Sequence, residues 1–213
     1  MLALQPQPQQ MPPPPFDKDE LQRIFADVIR HHRYQSFGFT PNERGAMFGN
    51  DDDDNVELRP ALLRIQARMD GADVLTSGAA QEKAQRIMKI AGERLKIENY
   101  LQCAVQIVAS VDAPEADART FVGKHLLRDP EQASGLGADF FGGGVRFRRL
   151  RPQEGGEDNL SIEPDVNDNA LVYVDFQMGR SAVGQPISLE QAMNWVNEAF
   201  EFVQVPTMAL LSD

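Results

Sequence analysis

Cysteine is almost absent from the chain. The 213 residues include a single one, Cys103, so no disulfide bond can form within the chain. Sparse cysteine is typical of a reducing compartment, which favours a cytoplasmic location. Cys103 stands in a Val- and Ala-containing stretch typical of a strand, where a free thiol is usually a small buried apolar side chain. Because no histidine lies nearby in sequence, a catalytic thiol is the less favoured interpretation.

Long apolar runs are missing too. No stretch approaches the roughly 18 uninterrupted apolar residues that a membrane-spanning helix needs. The first residues also lack the cationic start and apolar run of a secretory signal. We therefore expect no membrane span and no export by that route.

Positive charge is in deficit. The formal net charge is −11 and the sequence pI is about 4.7. Such a surface repels phosphate backbones and anionic lipid head groups at long range. Nucleic acid and membrane surfaces are therefore disfavoured as partners.

Motifs for metals and nucleotides are missing as well. The acidic run Asp51–Asp54 lacks the Gly and Glu of a calcium loop, because Val56 and Leu62 occupy its sixth and twelfth places. Three consecutive glycines at 142–144 precede a predicted strand. A phosphate-binding loop instead follows a strand and leads into the N-terminus of a helix. The three histidines form no zinc pattern. We predict no metal and no cofactor.

The one dense basic patch is followed closely by acidic residues. In the predicted strand 145–151, Arg146 and Arg148 share one face and Phe147 lies on the other. Arginines interleaved with an aromatic residue leave single-stranded nucleic acid open as an alternative. Charge pairing across a hairpin is favoured, between Arg146, Arg148, Arg149 and Arg151 on one side and Glu154, Glu157 and Asp158 on the other.

Proline is concentrated at the N-terminus. Residues 1–15 contain only Leu, Ala, Met, Gln and Pro. Such a segment is predicted to be an extended polyproline arm with no place in a helix interior or a sheet ladder. It is either a flexible tail or an interaction arm, held by a neighbouring subunit or an aromatic-lined partner domain. The candidate contact residues are Pro12, Pro13, Pro14 and Pro15.

The rest of the chain, 16–213, is predicted to be a single α+β domain. Helical spacing predicts helices over 18–33, 78–97 and 189–203, with caps at Asp17, Ser77 and Ser188. A further helix is predicted behind a cap at Asp112. Alternating patterns predict a hairpin in 34–49 and strands near 61–69, 100–111, 145–151, 159–163 and 170–177. Because strands come in runs, we expect a largely antiparallel or mixed sheet packed against about four helices.

Carboxylates give the best case for catalysis. Glu163 and Asp165 follow one predicted strand, and Asp175 lies in the next. Hairpin neighbours of this kind can hold a divalent cation or act as an acid/base pair, which suggests a metal-dependent hydrolase or nuclease. Turn formation explains Asp165 equally well, and an outward position on a sheet explains Asp175.

The last helix has an apolar arc wider than one core-facing side needs. Its main stripe runs from Leu189 to Val203, and Trp195, Ala199 and Phe202 lie beside that stripe. These three residues are a candidate self-association surface, since Trp and Phe are enriched at interface centres. The alternative is that strands or the C-terminal tail cover them within the same chain.

No catalytic motif stands out, so the favoured function is a non-catalytic structural or protein-interaction protein. Its expected partners are further copies of itself or other protein subunits, in a homo-oligomer or larger assembly. The alternatives are the hydrolase using Glu163, Asp165 and Asp175, and a small-ligand binding module, which needs a pocket.

Overall fold

The computed structural model describes residues 1–7, 15–40, 44–51, 53–68, 78–114, 117–126 and 143–212. The strands are β1 (Leu2–Pro6), β2 (Ser36–Phe39), β3 (Ala46–Gly49), β4 (Asn55–Arg59), β5 (Leu62–Ile65), β6 (Asn99–Asp112), β7 (Val145–Arg151), β8 (Gly156–Pro164), β9 (Leu171–Ser181) and β10 (Ile187–Ser188). The helices are α1 (Lys18–Ile29), α2 (Ala79–Leu95), α3 (Ala118–Phe121), α4 (Leu189–Phe202) and α5 (Met208–Ser212). Turns of π-helix cover Val122–Leu126 and Val203–Thr207, and a 3-10 turn covers Pro152–Glu154.

The strands form one ten-stranded antiparallel sheet. Its order is β2-β3-β4-β5-β1-β6-β9-β8-β7, and β10 pairs with the start of β6. The longest ladder joins β6 to β9, from Gln102 opposite Ser181 to Asp112 opposite Leu171. The predicted α+β class with an antiparallel sheet is confirmed.

Strand β1 lies inside the sheet, between β5 and β6. Leu2, Leu4 and Pro6 are buried, whereas Ala3 and Gln5 are half-buried on the other face. The ladder shifts register between Gln5 and Pro6, and an irregularity of this kind tolerates the missing N–H of proline. The prediction that residues 1–15 have no place in a sheet ladder is therefore wrong for residues 2–6.

Helices α1, α2 and α4 pack on one face of the sheet. Along β6 the side chains of Cys103, Val105 and Ile107 are buried toward these helices, while Ala104 and Val108 are exposed on the opposite face. We call this opposite face the open face. In α2 and α4 the buried residues recur every three or four positions, as Ala84, Ile87, Met88, Ala91, Ala192, Trp195, Val196 and Ala199. A sheet with one packed and one exposed face is usual for antiparallel strands.

Local chain signals predicted several element ends well. The Asp17 carboxylate accepts hydrogen bonds from the backbone N–H groups of Asp19 and Glu20, and the Ser188 hydroxyl accepts one from Gln191. These are the predicted caps of α1 and α4. The predicted cap Ser77 lies outside the described residues. None of the helices in the described part of the chain combines the length and the apolar character that a bilayer crossing needs.

One local prediction differs from the structure, and one strand is missing from the predictions. Asp112 is the last residue of β6, so the predicted cap there is wrong, and α3 begins later behind an Asp117 cap. Strand β4 was not predicted either. It is hidden because Glu57 and Arg59 interrupt its apolar pattern, although Glu57 is buried beneath ion pairs with Arg59 and Arg64.

Candidate functional site

A cavity of about 410 Å³ lies between the sheet and helices α2 and α4. This volume falls within the roughly 300–1,000 Å³ of typical small-ligand sites. Strands β1, β5 and β6 supply Leu2, Ile65, Val105 and Ile107, and α4 supplies Val196 and Phe200. The cavity wall is therefore mainly apolar.

Small residues line this space. Ala67, Ala80 and Ala84 contribute to the cavity wall, and an alanine at each of these positions leaves room that a larger side chain would occupy. In the sheet, Leu2 of β1 lies opposite Ile65 on one side and Val105 on the other. Strand β6 continues along the cavity, where Gln106, Ile107 and Val108 line it.

Polar groups collect at the exposed side of the cavity. Gln66, Gln106, Arg68 and Asp53 contribute to its lining there. The Arg68 guanidinium lies 3.4 Å from the Asp53 carboxylate, and both side chains are more than half exposed. A cavity with an apolar interior and a polar mouth suits a ligand with an apolar body and a polar end.

The three candidate catalytic carboxylates lie around one tyrosine on the open face. Tyr173 pairs with Glu163 across β8 and β9, and Asp175 is two residues along on the same face. Burial raises the pKa of Tyr173, and the negative charges of Asp175, Glu163 and Asp165 raise it further. The structure therefore places Glu163 and Asp175 in one neighbourhood.

These carboxylates nevertheless have structural contacts of their own. Asp165 accepts hydrogen bonds from the Asn167 backbone N–H at 2.8 Å and from the Ser110 hydroxyl at 2.7 Å, which lower its pKa. Asp175 accepts side-chain amide hydrogen bonds from Gln106 and Gln177, at 3.1 and 2.8 Å. Within the described residues, no group of three or more His, Cys, Asp or Glu side chains is placed to hold a metal ion.

The arginine-rich strand β7 forms ion pairs with the acidic residues that follow it. Arg148 donates to Glu157 and Arg149 to Asp158, at 2.9 and 2.7 Å, while Arg151 lies 3.2 Å from Glu154. The predicted pairing across the hairpin is thus confirmed for these residues. Arg146 instead donates to the Ser161 hydroxyl on the open face.

A buried arginine completes this cluster, and sequence reasoning missed it. The side chain of Arg180 is fully buried and lies 2.7 Å from Asp158 and 2.8 Å from Glu154. Burial opposes ionisation of Asp158, but hydrogen bonds from Arg180 and Arg149 outweigh it and lower the pKa of Asp158. The ion pairs of this cluster connect β7, β8 and β9. They also neutralise positive charge of the arginines that would otherwise attract a polyanion.

The predicted self-association surface on α4 is covered within the chain. Trp195 is 8% exposed and Ala199 is fully buried, and both belong to the core. Phe202 stacks on Phe176 of β9, with ring centroids 4.8 Å apart, and lies beneath the Arg149 guanidinium. The exposed Trp–Phe pair on which the interface prediction depended is therefore not present. Of the proline residues, Pro15 is exposed, and Pro12, Pro13 and Pro14 lie outside the described residues.

Cys103 and the histidines take structural positions. Cys103 is buried, and burial raises its pKa to about 12, although the charge of Arg180 acts in the opposite direction. His32 is half-buried, and burial together with the charges of Lys83 and Arg86 lowers its pKa. The side chain of His125 lies outside the described part of the chain.

Several cavity residues, including Ile65, Ala84 and Val196, lie on stripes that the sequence predicts to face the core, and no sequence signal separates a residue that lines a cavity from one that fills the core. Comparison with known proteins supplies no such signal either. No protein-family model matches the chain, and no similar protein was found among curated proteins or solved structures.

Proposed function

We propose that the protein is a non-catalytic binding protein whose binding site is the cavity between the sheet and helices α2 and α4. The cavity itself is the observation that carries this proposal, since it has the volume and the apolar lining of a ligand site. A pocket is also what the small-ligand alternative requires, and a pocket is not visible in a sequence. A cytoplasmic location and action within a larger assembly remain predictions.

The hydrolase alternative has less support. Asp165 is bound within a turn and to Ser110, and Asp175 is held by two glutamine side chains. Each of these carboxylates thus has a structural explanation that does not require catalysis. Glu163 is exposed at the edge of the group.

A neutral apolar fluorophore, N-phenyl-1-naphthylamine, tests the proposal. We expect saturable binding with a stoichiometry near one, because the protein offers a preformed apolar space that excludes water from the dye. Ala80→Leu, which adds three side-chain carbon atoms at the cavity wall, should weaken binding at least roughly tenfold.

Ala79→Leu is the matched control. Ala79 adjoins Ala80 in the first turn of α2 and is likewise half-buried, but it is not among the residues that line the cavity. It should change dye affinity by less than about twofold. Equal loss in both variants, or unsaturable binding by the wild type, would contradict the proposed function.

A further inference from the structure

The sheet ends in two edge strands of opposite character. Strand β7 carries four arginines, and charged side chains on an edge strand oppose pairing with a further strand. Strand β2 (Ser36–Phe39) carries no charged residue. Within the described part of the chain, β2 pairs with β3 alone. The β2 edge therefore lacks the protection by charge that the β7 edge has.

Two residues of β2 direct their backbone groups away from the sheet. The Thr40 N–H donates to the Gly45 carbonyl at 2.9 Å, which continues the ladder between β2 and β3. In an antiparallel ladder, alternate residues direct their N–H and C=O groups to the same neighbour. Gly38 therefore directs its own to β3, whereas Phe37 and Phe39 direct theirs outward. No described residue forms a backbone hydrogen bond with these outward groups.

The sequence of β2 is symmetric about Gly38. Phe37 and Phe39 flank this glycine, and the hydroxyl residues Ser36 and Thr40 follow on either side. A two-fold axis at Gly38 would pair β2 with the same strand of a second copy and place Phe37 opposite the second copy's Phe39. Each such pair exchanges two backbone hydrogen bonds, and the axis generates two such pairs. The strand is therefore complementary to itself.

The side chains around this axis also suit a second copy. On the helix side, the Phe37 ring lies 5.0 Å from Phe25 and 5.3 Å from Phe39, measured between centroids, and both rings of β2 are half-buried. Pairing would place the second copy's two rings beside them, and aromatic cross-strand pairs stabilise a sheet. The Lys18 ammonium lies 5.2 Å from the Phe39 ring centroid. On the open face, the two copies of Gly38 would meet without any side chain between them.

We propose that β2 is a self-association surface, at which two copies of the chain join their sheets by antiparallel β2–β2 pairing about Gly38. This inference goes beyond the proposed function and does not depend on the cavity. Four residues of strand span only about 14 Å, so the dimer belongs to the weak, reversible class. Each copy carries a net charge of −11 and repels the other, so added salt should strengthen the dimer.

Sedimentation velocity of the full chain, from roughly 10 µM to 1 mM, measures this dimer. We expect reversible association that increases with protein concentration and with salt. Gly38→Glu places two carboxylates opposite each other at the axis, where the Cα atoms are about 4.5 Å apart, and should weaken the dimer at least roughly tenfold. The substitution fits the monomer, because Gly38 is exposed and an added Cβ meets no described atom within 4 Å.

Gly179→Glu is the matched control. Gly179 also lies within a strand and on the open face, and an added Cβ there likewise meets no described atom within 4 Å. The variant changes the net charge by the same amount, but five strands separate β9 from β2. It should change the dimer affinity by less than about twofold.

A charge swap tests whether β2 pairs with its own copy. Gly38→Lys alone should weaken the dimer as Gly38→Glu does, because two ammonium groups then meet at the axis. An equimolar mixture of the two variants should form a mixed dimer, because opposite charges then meet. In the wild type, hydrogen exchange of the Phe37 and Phe39 amides should slow as the protein concentration rises. This last measurement decides the matter if a glycine variant does not fold.

Several results would overturn the proposal. One is a wild type that stays monomeric at every concentration and salt level, and another is a dimer that Gly38→Glu does not weaken. Equal loss in Gly38→Glu and Gly179→Glu would show that net charge controls association. A mixture that does not dimerise, or a dimer whose Phe37 and Phe39 amides stay unprotected, would place the contact elsewhere. Dye binding in the cavity is independent of all these results.

Discussion

At the residue scale, Asp158 is a buried carboxylate held by ion pairs. It is buried and contacts Arg149 and Arg180, so an uncharged replacement would leave the fully buried Arg180 with less compensation. Removing one partner of a buried ion pair usually costs several kcal/mol, because a charge is left in a medium of low dielectric constant.

We predict that Asp158→Asn lowers the free energy of unfolding by about 3 kcal/mol at pH 7. Urea denaturation measures this change. Glu163→Gln is the control, since Glu163 is exposed and lies outside the cluster, and it should cost less than about 0.5 kcal/mol. Equal effects of the two substitutions would contradict the assigned role of Asp158.

The pH dependence of that difference follows from the sign of the pKa shift. The pKa of Asp158 in the folded state lies below its ordinary value of 3.8. A lowered carboxyl pKa stabilises the fold above the unfolded-state pKa, and the contribution is lost as the pH falls through the folded-state pKa. The stability gap between wild type and Asp158→Asn should therefore hold from pH 7 to about pH 4 and narrow only below the ordinary value.

Cys103 provides a second prediction at this scale. Its pKa is raised to about 12 by burial, so almost no thiolate exists at pH 8. Because the thiolate is the reactive form, the native protein should react with 5,5′-dithiobis(2-nitrobenzoate) far more slowly than the urea-unfolded chain. Fast reaction of the native protein would show that Cys103 is accessible, contrary to its position in β6.

At the element scale, β1 is the segment whose role differs most from the sequence prediction. Leu4 is fully buried between β5 and β6, whereas its neighbour Gln5 is half-buried on the open face. We predict that Leu4→Ala lowers the free energy of unfolding by about 2–5 kcal/mol, as for other buried leucines. Gln5→Ala should cost less than about 0.5 kcal/mol. Chemical denaturation of both variants tests the central position of β1, and a harmless Leu4→Ala would contradict it.

The difference between predicted and missed elements has a physical cause. Helices α1 and α4 and the hairpin of β2 and β3 are encoded locally, by caps at Asp17 and Ser188 and by alternation near Phe37 and Phe39. Strand β1 has no clear strand pattern in the sequence, because it is short and lies next to a segment rich in Gln and Pro. It exists because Leu2 and Leu4 pair with residues about 60 and 100 positions away, and single-sequence patterns do not show such distant pairing.

The same distinction between local and distant contacts applies to the predicted sites. The charge pairs of β7 and β8 were visible because a short hairpin connects them, and Glu163 and Asp175 were brought together for the same reason. The sequence left open whether Trp195, Ala199 and Phe202 are covered within the chain, because the stacking of Phe202 on Phe176 depends on how α4 crosses the sheet. The cavity was not predictable. It forms where residues of β1, β6, α2 and α4 meet around three alanines, and none of these elements shows it alone.

At the scale of the whole molecule, one sheet carries a packed face and an acidic open face. The net charge of −11 disfavours polyanions as partners, and the ion pairs of β7 compensate much of the basic patch. The cavity lies close to both faces of the sheet, since Gln106 lines it and also donates a side-chain hydrogen bond to Asp175 on the open face. A ligand in this position would contact the helices and the open face at once.

Backbone chemical-shift mapping tests most directly that this cavity is the binding site. ¹H–¹⁵N spectra of the full chain are recorded while N-phenyl-1-naphthylamine is added to saturation. We predict saturable shifts centred on Val105, Ile107, Ala84 and Val196, with none at the distant strands β2 and β3. Shifts scattered over the open face, or no shifts at any dye concentration, would contradict binding in the cavity.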